Sequence, residues 1–325
     1  MRLRLASICG AIGVTVLLLL PPQASGQSFE QFLQSLLTQA KNEGIDAVVV
    51  TEAGSQTKLF RRATVSQTSF TSLEQYIPAM VTEAKANAAK QLFEQHKAAF
   101  LALSRQYGVQ PRFILAQWAM LGAIEPQDAA ISLYPLLSVV ASSAYAGEPQ
   151  AANDYIAGLK LIAMGRYTYD TLQADRDGTV GPVKLRASML ISCAADGDGD
   201  GAIDMWHSVL DVYASAASCL RANGWDDSQT WGRQVRAPAA LLADTGFDIQ
   251  RTFADWQRAG VTRYEGGQLP NRANMQVSLL MPDGVKGRQY MVYQNYRSLY
   301  ALYADHYLVL AIAHLSERIK KLGVD

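Results

Sequence analysis

The chain has 325 residues, 49% of them hydrophobic, with Lys+Arg 29 balanced by Asp+Glu 29. That is ordinary globular composition, enough for one large domain or two to three small ones. A formal net charge of zero gives no global pull toward nucleic acid or acidic lipid, which excludes a charge-driven reader of either.

Residues 1–26 read as a targeting segment rather than as fold. Arg2 and Arg4 precede an apolar run from Leu5 to Leu20, followed by Pro-Pro and the small residues Ala24-Ser25-Gly26. This is the pattern of a secretory signal peptide cleaved near Gly26, and it predicts a periplasmic protein. The run is short for a membrane span and no later stretch replaces it, so an integral membrane protein is not expected. Cys9 lies within the apolar run. After cleavage Cys193 and Cys219 remain, an even pair that in an oxidising compartment favours a disulfide over two buried thiols.

The following elements read mainly as helix. "FEQFLQSLLTQAKNEG" has apolar residues at helical spacing and a stop at Gly44. "AKQLFEQHKAAFLALSRQYG" predicts one helix with Phe93, Phe100, Leu103 and Tyr107 on a stripe and Gly108 as its C-terminal cap. His96 falls near that stripe and reads as a packing residue. Pro111 opens "RFILAQWAMLGAI", apolar on nearly all sides and therefore buried. Two further helices follow in "LYPLLSVVASSAYAG" and "AANDYIAGLKLIAMGR". Turn formers crowd "GWDDSQTWGRQVRAP", and "VSLLMPDGVKGRQYMVY" predicts a hairpin around Asp283-Gly284. One long helix is expected from about Ser298 to Lys321. His306 and His314 fall on it and read as packing or surface residues.

The most chemically specific stretch is "ADGDGDGAIDMW", Ala195 to Trp206. A calcium-binding EF-hand loop needs oxygen donors at alternating positions and a glycine at the sixth for a sharp turn. Starting from Asp196, the third and fifth positions are Asp198 and Asp200, the sixth is Gly201, and the seventh, Ala202, offers its carbonyl. Asp204 is ninth. The closing bidentate glutamate is absent: His207 stands there, and the next carboxylate in reach is Asp211. A solvated Asp-Gly turn capping a helix is the plainer alternative.

Taken in order, "YGVQPRFILAQWAM", "GTVGPVKLRASM", the aspartate run continuing to "WHSVLDVYASAASCLRANGW", "TWGRQV", "FADWQRAGV", the hairpin and "YQNYRSLYALY" resemble the membrane-bound lytic transglycosylase B family of bacterial cell-wall enzymes. The resemblance runs from Phe29 to Ile319. It implies a mainly α (α+β) fold: a lysozyme-like helical core with an EF-hand-like calcium loop and a small β section. The expected division is an N-terminal helical region (27–95), the core with its calcium loop (96–231), the β section (232–296) and a C-terminal helix packing back on the core (297–325). It implies Ca2+ as cofactor, held by Asp196, Asp198, Asp200, the Ala202 carbonyl and Asp211. It also implies a groove for peptidoglycan, in which one glutamate acts as general acid and then as base to leave a 1,6-anhydro sugar.

The family's glutamate position is where the resemblance fails. The matching segment is Trp118-Ala119-Met120-Leu121-Gly122, with Leu121 in the acid's place. The loop that should read G-x-x-Q-F-M-P reads Gly181-Pro182-Val183-Lys184-Leu185-Arg186-Ala187. The family's Tyr/Trp-Asn pair is Leu302-Tyr303, followed by Asp305 in place of serine. Framework residues remain while chemical ones are replaced, the pattern of an inactive homologue whose groove residues would be Gln117, Trp118, Lys184, Arg186 and Tyr303. The cations Lys184 and Arg186 could meet carboxylates of the wall polymer, or simply be solvated. Glu125, four residues past Leu121, is the rescue acid; Pro126 argues against helix there. The expected partner is a peptidoglycan glycan strand, or an active wall enzyme or envelope complex; an active enzyme using Glu125 and a pure interaction scaffold are the alternatives. No G-x-S-x-G, H-E-x-x-H, P-loop or G-x-G-x-x-G offers other chemistry.

Overall fold

The structure is a computed structural model that describes residues 27–61, 70–122 and 132–325. The expected signal peptide and Glu125 lie outside the described residues.

Helix α1 (Phe29–Asn42) starts at a capping box: the Ser28 hydroxyl accepts from the Gln31 N–H, and the Gln31 side chain accepts from the Ser28 N–H. Leu33, Leu36, Leu37 and Ala40 form its buried stripe, and the chain leaves it through Gly44 in the left-handed region, as the spacing predicted. Next come α2 (Ala47–Gln56), capped by Asp46, and α3 (Leu73–Met80). The single helix expected over 89–108 is instead two, α4 (Glu83–Gln95) and α5 (Lys97–Tyr107), broken at His96 with φ −121°. No glycine or proline marks this break; the packing of Phe93 and Phe100 in the core selects it. Gly108 caps α5 in the left-handed conformation.

Helix α6 (Pro111–Leu121) begins with proline in its first turn and buries every residue from Pro111 to Met120. It packs against α4, α5 and two helices named below, α10 and α13. The chain continues through α7 (Leu136–Tyr145), α8 (Ala151–Ala163), α9 (Ala187–Cys193) and α10 (Val209–Ala222), each packed on the next. A two-residue ladder joins β1 (Tyr134–Pro135) to β2 (Gln173–Ala174). Cys193 and Cys219 are joined in a disulfide that ties the end of α9 to α10 across the aspartate run.

The β section is a five-stranded antiparallel sheet of order β4-β6-β7-β3-β5. Its strands are β3 (Gly232–Arg236), β4 (Arg251–Thr252), β5 (Thr262–Arg263), β6 (Gln276–Leu280) and β7 (Gln289–Val292). With α11 (Phe253–Arg258) it encloses a separate small core around Trp256, Val277, Leu279 and Met291. Strands β6 and β7 pair as expected, Leu279 opposite Met291. Their connection is longer than a tight turn, because Asp283 is occupied elsewhere: its carboxylate accepts from the Leu73 N–H at 2.7 Å and from the Tyr307 hydroxyl.

The long closing helix is also corrected. It is α12 (Gln294–Tyr303) and α13 (His306–Lys321), separated by Ala304 at φ 51° and by Asp305, whose carboxylate caps α13 through the Tyr307 and Leu308 N–H groups. An aspartate at that position favours a new helix start over continuation. His306 and His314 bond the hydroxyls of Tyr296 and Tyr290. Among the described residues, no helix is long and apolar enough to cross a membrane.

Closing a 26-residue separation between Cys193 and Cys219 restricts the unfolded chain by about 3 kcal/mol. Cys193→Ala/Cys219→Ala is therefore expected to unfold several degrees lower in a thermal melt. A reductant should lower the melting temperature of the wild-type chain and leave that of the double variant unchanged.

Candidate functional site

The C-terminal end of α6 meets a loop and α12. The Gly122 N–H closes the last turn on the Trp118 carbonyl. A side chain at Gly122 would run into Pro182, whose Cβ is 2.7 Å from the position a Cβ would take. The helix end is thus pressed on the 180–186 loop, which folds back through the Val180–Leu185 bridge. Gly181 is needed there: it has φ 74°, and a Cβ would approach the Met205 carbonyl to 2.8 Å.

Gln117 is fully buried and spans this junction. Its Nε2 donates to the Phe113 carbonyl at 3.1 Å, and its Oε1 accepts from the Tyr303 hydroxyl at 2.7 Å. The same hydroxyl lies 3.2 Å from the Val183 carbonyl. One phenol therefore joins α6, α12 and the loop, and burial pushes its pKa well above the usual range. Trp118 is buried with no hydrogen-bond partner at Nε1 among the described residues. Leu121 is half-buried and packs on the core. None of Gln117, Trp118, Leu121 and Tyr303 carries a carboxyl group.

The two cations of the loop are committed within the chain. Lys184, in the left-handed region at φ 51°, places Nζ 3.1 Å from Asp175 and 3.5 Å from Asp177. Arg186 grips the buried carboxylate of Asp154 through Nε at 2.8 Å and a terminal nitrogen at 2.5 Å. The other Asp154 oxygen accepts from the Ser188 N–H and hydroxyl. Neither cation is simply solvated. Asp154 and Asp175 were not singled out from sequence. Asp175 could have been, from the turn-forming "DRDGT" around it, where its Oδ1 accepts from the Asp177 and Thr179 N–H groups. Asp154 sits in a helical run and leaves no such signal.

In the aspartate run, carboxylate oxygens of Asp196, Asp198 and Asp211 lie within 4.8 Å of one another. Glycines allow the tight path: Gly199 and Gly201 have φ 80° and 92°, and a side chain at Gly197 would overlap the Leu210 carbonyl. Asp196 accepts from the Gly199 and Gly201 N–H groups, which hold its carboxyl below the usual range. Asp211, on the first turn of α10, is 1% exposed and accepts from the Gly197 and Asp204 N–H groups at 2.7 Å each. It sits where the displaced closing carboxylate was expected. Asp198 accepts from the Ser208 hydroxyl. Asp200 is not part of the converging group; its carboxylate accepts from the Ala202 N–H. Asp204 faces the next turn, accepting from the Trp206 and His207 N–H groups and pairing with the His207 ring. Three converging oxygen donors, one of them deeply buried, are a donor set that suits a hard divalent cation.

A lysozyme-like helical core, a central buried helix ending on a loop and a small antiparallel sheet define the fold of the lytic transglycosylases. The sequence signature of the transglycosylase SLT domain matches residues 28–317, and the chain belongs to that family. It is similar to SltB3 from Pseudomonas aeruginosa, solved with NAG-anhNAM-pentapeptide: 26% identity over 91% of this chain and 80% of that one, TM-score 0.75. It shares its fold with the Escherichia coli lytic transglycosylase Slt35, solved with bulgecin A and with calcium: 19% identity, 90% of this chain, 94% of that one, TM-score 0.70. The Pseudomonas aeruginosa transglycosylase SltB1 superposes at TM-score 0.70 with 15% identity, over 91% of this chain and 99% of that one. No curated protein sequence matches at a significant level.

Tyr303→Phe removes the only proton that the Gln117 Oε1 receives among the described residues and leaves that oxygen buried. A loss of about 1–3 kcal/mol is expected, measurable by denaturant unfolding. Leu302, beside it in sequence, packs in the core without a polar partner, so Leu302→Met should cost less.

Proposed function

We propose that this chain is an exported peptidoglycan-binding member of its family that holds glycan strands without cutting them. The observation that carries this reading is Leu121 at the end of α6, where the resemblance places the acid. Cleavage needs a carboxylic acid to protonate the departing glycosidic oxygen and, ionised, to take the proton of the attacking hydroxyl. A leucine does neither, and losing such a group removes a factor of about 10²–10⁴. The neighbours support the reading. Tyr303 spends its hydroxyl on Gln117, and Lys184 and Arg186 are held by Asp175, Asp177 and Asp154. What remains is a rigid frame able to present shape and hydrogen-bonding groups to a sugar chain. An active wall enzyme or envelope complex is the further partner this frame could serve.

Family membership favours one rival, an active enzyme in which Glu125 supplies the acid. Incubation of the chain from Gln27 onward with purified sacculi separates the two. We expect the protein in the pellet and no 1,6-anhydro muropeptides in the soluble fraction by mass spectrometry. Release of anhydro products that stops in Glu125→Gln would replace this reading with the rival one.

We also infer that calcium is the ion of the aspartate loop, held by the converging carboxylates of Asp196, Asp198 and Asp211. Bound there, the ion would neutralise the converging carboxylates and fasten the loop to α10. Calcium at a hundred times its dissociation constant stabilises the folded state by about 2.7 kcal/mol. Added calcium is therefore expected to raise the melting temperature of the wild-type chain, and chelation to reverse it. Asp211→Asn should abolish the shift; an unchanged shift in that variant would remove Asp211 from the site.

A further inference from the structure

A recess lies away from the C-terminal end of α6. It has a volume of about 720 Å³ and is walled by α3, α4, the loop before β7 and the last turns of α13. That is within the 300–1,000 Å³ range of small-ligand sites. Among its mostly polar lining are the aliphatic side chains of Ile77, Val81 and Ala86, all buried. Two of its charged groups are already paired: Arg288 with Glu74 at 2.9 Å, and Glu317 with the buried Arg112 at 2.8 Å. Three others line it and have no ion pair among the described residues: Arg318 and Lys321 on one turn of α13, and Glu83 on the first turn of α4. The recess therefore presents two cations, one carboxylate and a few aliphatic side chains. The Glu317–Arg112 pair places it beside the first turn of α6, and nine residues of helix, about 14 Å, separate Arg112 from Leu121.

We propose that this recess binds a short peptide bearing free carboxylates and an amino group, the stem-peptide portion of the wall polymer. This rests on the peptidoglycan reading above and adds a second point of attachment to it. Arg318 and Lys321 would take the peptide's carboxylates, Glu83 its ammonium, and Ile77, Val81 and Ala86 its aliphatic side chains. Glu83 decides against a phosphate-rich ligand, which it would repel. Two attachment points on one strand raise the effective concentration of each for the other, so a protein that does not cut would still hold the polymer firmly.

The test uses three probes on the whole protein: free stem peptide released by an amidase, glycan strands stripped of peptide, and anionic phospholipid vesicles. Free peptide is expected to bind, followed by calorimetry or by chemical-shift changes. Arg318→Glu/Lys321→Glu, both at exposed positions, should weaken it at least about tenfold, since it turns two attractions into repulsions. With the N-terminus blocked, as it is in the polymer, Glu83→Gln should weaken a peptide whose diamino-acid side chain carries a free amine and leave the form acetylated on that side chain unchanged. Stripped strands should bind the wild type and the double variant alike. No binding of free peptide, or the same affinity in the double variant, overturns the proposal while leaving the groove reading standing if stripped strands still bind. Peptide binding without strand binding would keep the recess and overturn the groove. Vesicle binding lost in the double variant, with no peptide affinity, would assign the recess to a membrane surface instead.

Discussion

Helix α6 is buried from Pro111 to Met120, and α4, α5, α10 and α13 cover it. Its apolar residues supply the driving force, but Arg112 and Gln117 are buried with them, and a buried charge or amide must be answered within the protein. Arg112 is answered by Glu317 near the end of α13 and by Asp325, each at 2.8 Å. Gln117 is answered by Tyr303 at the end of α12. The two polar residues of the central helix thus fix where both C-terminal helices must lie. They also place the Gln117 contact on the same junction that holds the 180–186 loop.

The same rule organises the loops. Asp154 is buried on α8 and holds Arg186 and Ser188 at the entrance to α9. Asp211 is buried on α10 and holds the backbone of the aspartate run at Gly197 and Asp204. Asp283 holds the start of α3 to the start of α13 from the far end of the β6–β7 connection. Asp154 and Asp283 join segments distant in sequence, and Asp211 closes the aspartate run onto the helix that follows it. Removing one partner of such a contact costs more than the contact contributes, because a buried charge is left unpaired. These carboxylates and the Gln117–Tyr303 contact form a structural lattice that ties loops and helices together.

Much of this was legible in sequence where a local rule applied. Gly44, Gly108 and Pro111 mark helix boundaries by backbone preference, and the helices end or begin there. The alternation of Asp and Gly after Ala195 announced a tight oxygen-rich loop. The β6–β7 pairing followed from two β-rich runs. What escaped had no local mark or had its mark overridden. The break at His96 has neither glycine nor proline. The division at Ala304 was signalled only by Asp305, easily read as one more polar residue of an amphipathic run. Lys184 and Arg186 looked like free charges because nothing in a sequence states that Asp154 and Asp175 lie beside them.

The sequence by itself determined element types, caps, the aspartate loop and the family, because each depends on residues within a few positions of one another or on a long run of matched motifs. Only the tertiary structure decided which charges are paired within the protein and which are not. Asp200 and Asp204 look equivalent to Asp196 in the motif, yet only Asp196 and Asp198 converge with Asp211, which enters from the next helix. Arg186 and Arg318 are the same residue type, yet one is held by a buried carboxylate and the other lines an open recess. Partnership between distant residues is a property of packing, and packing is settled by the burial of the whole core at once.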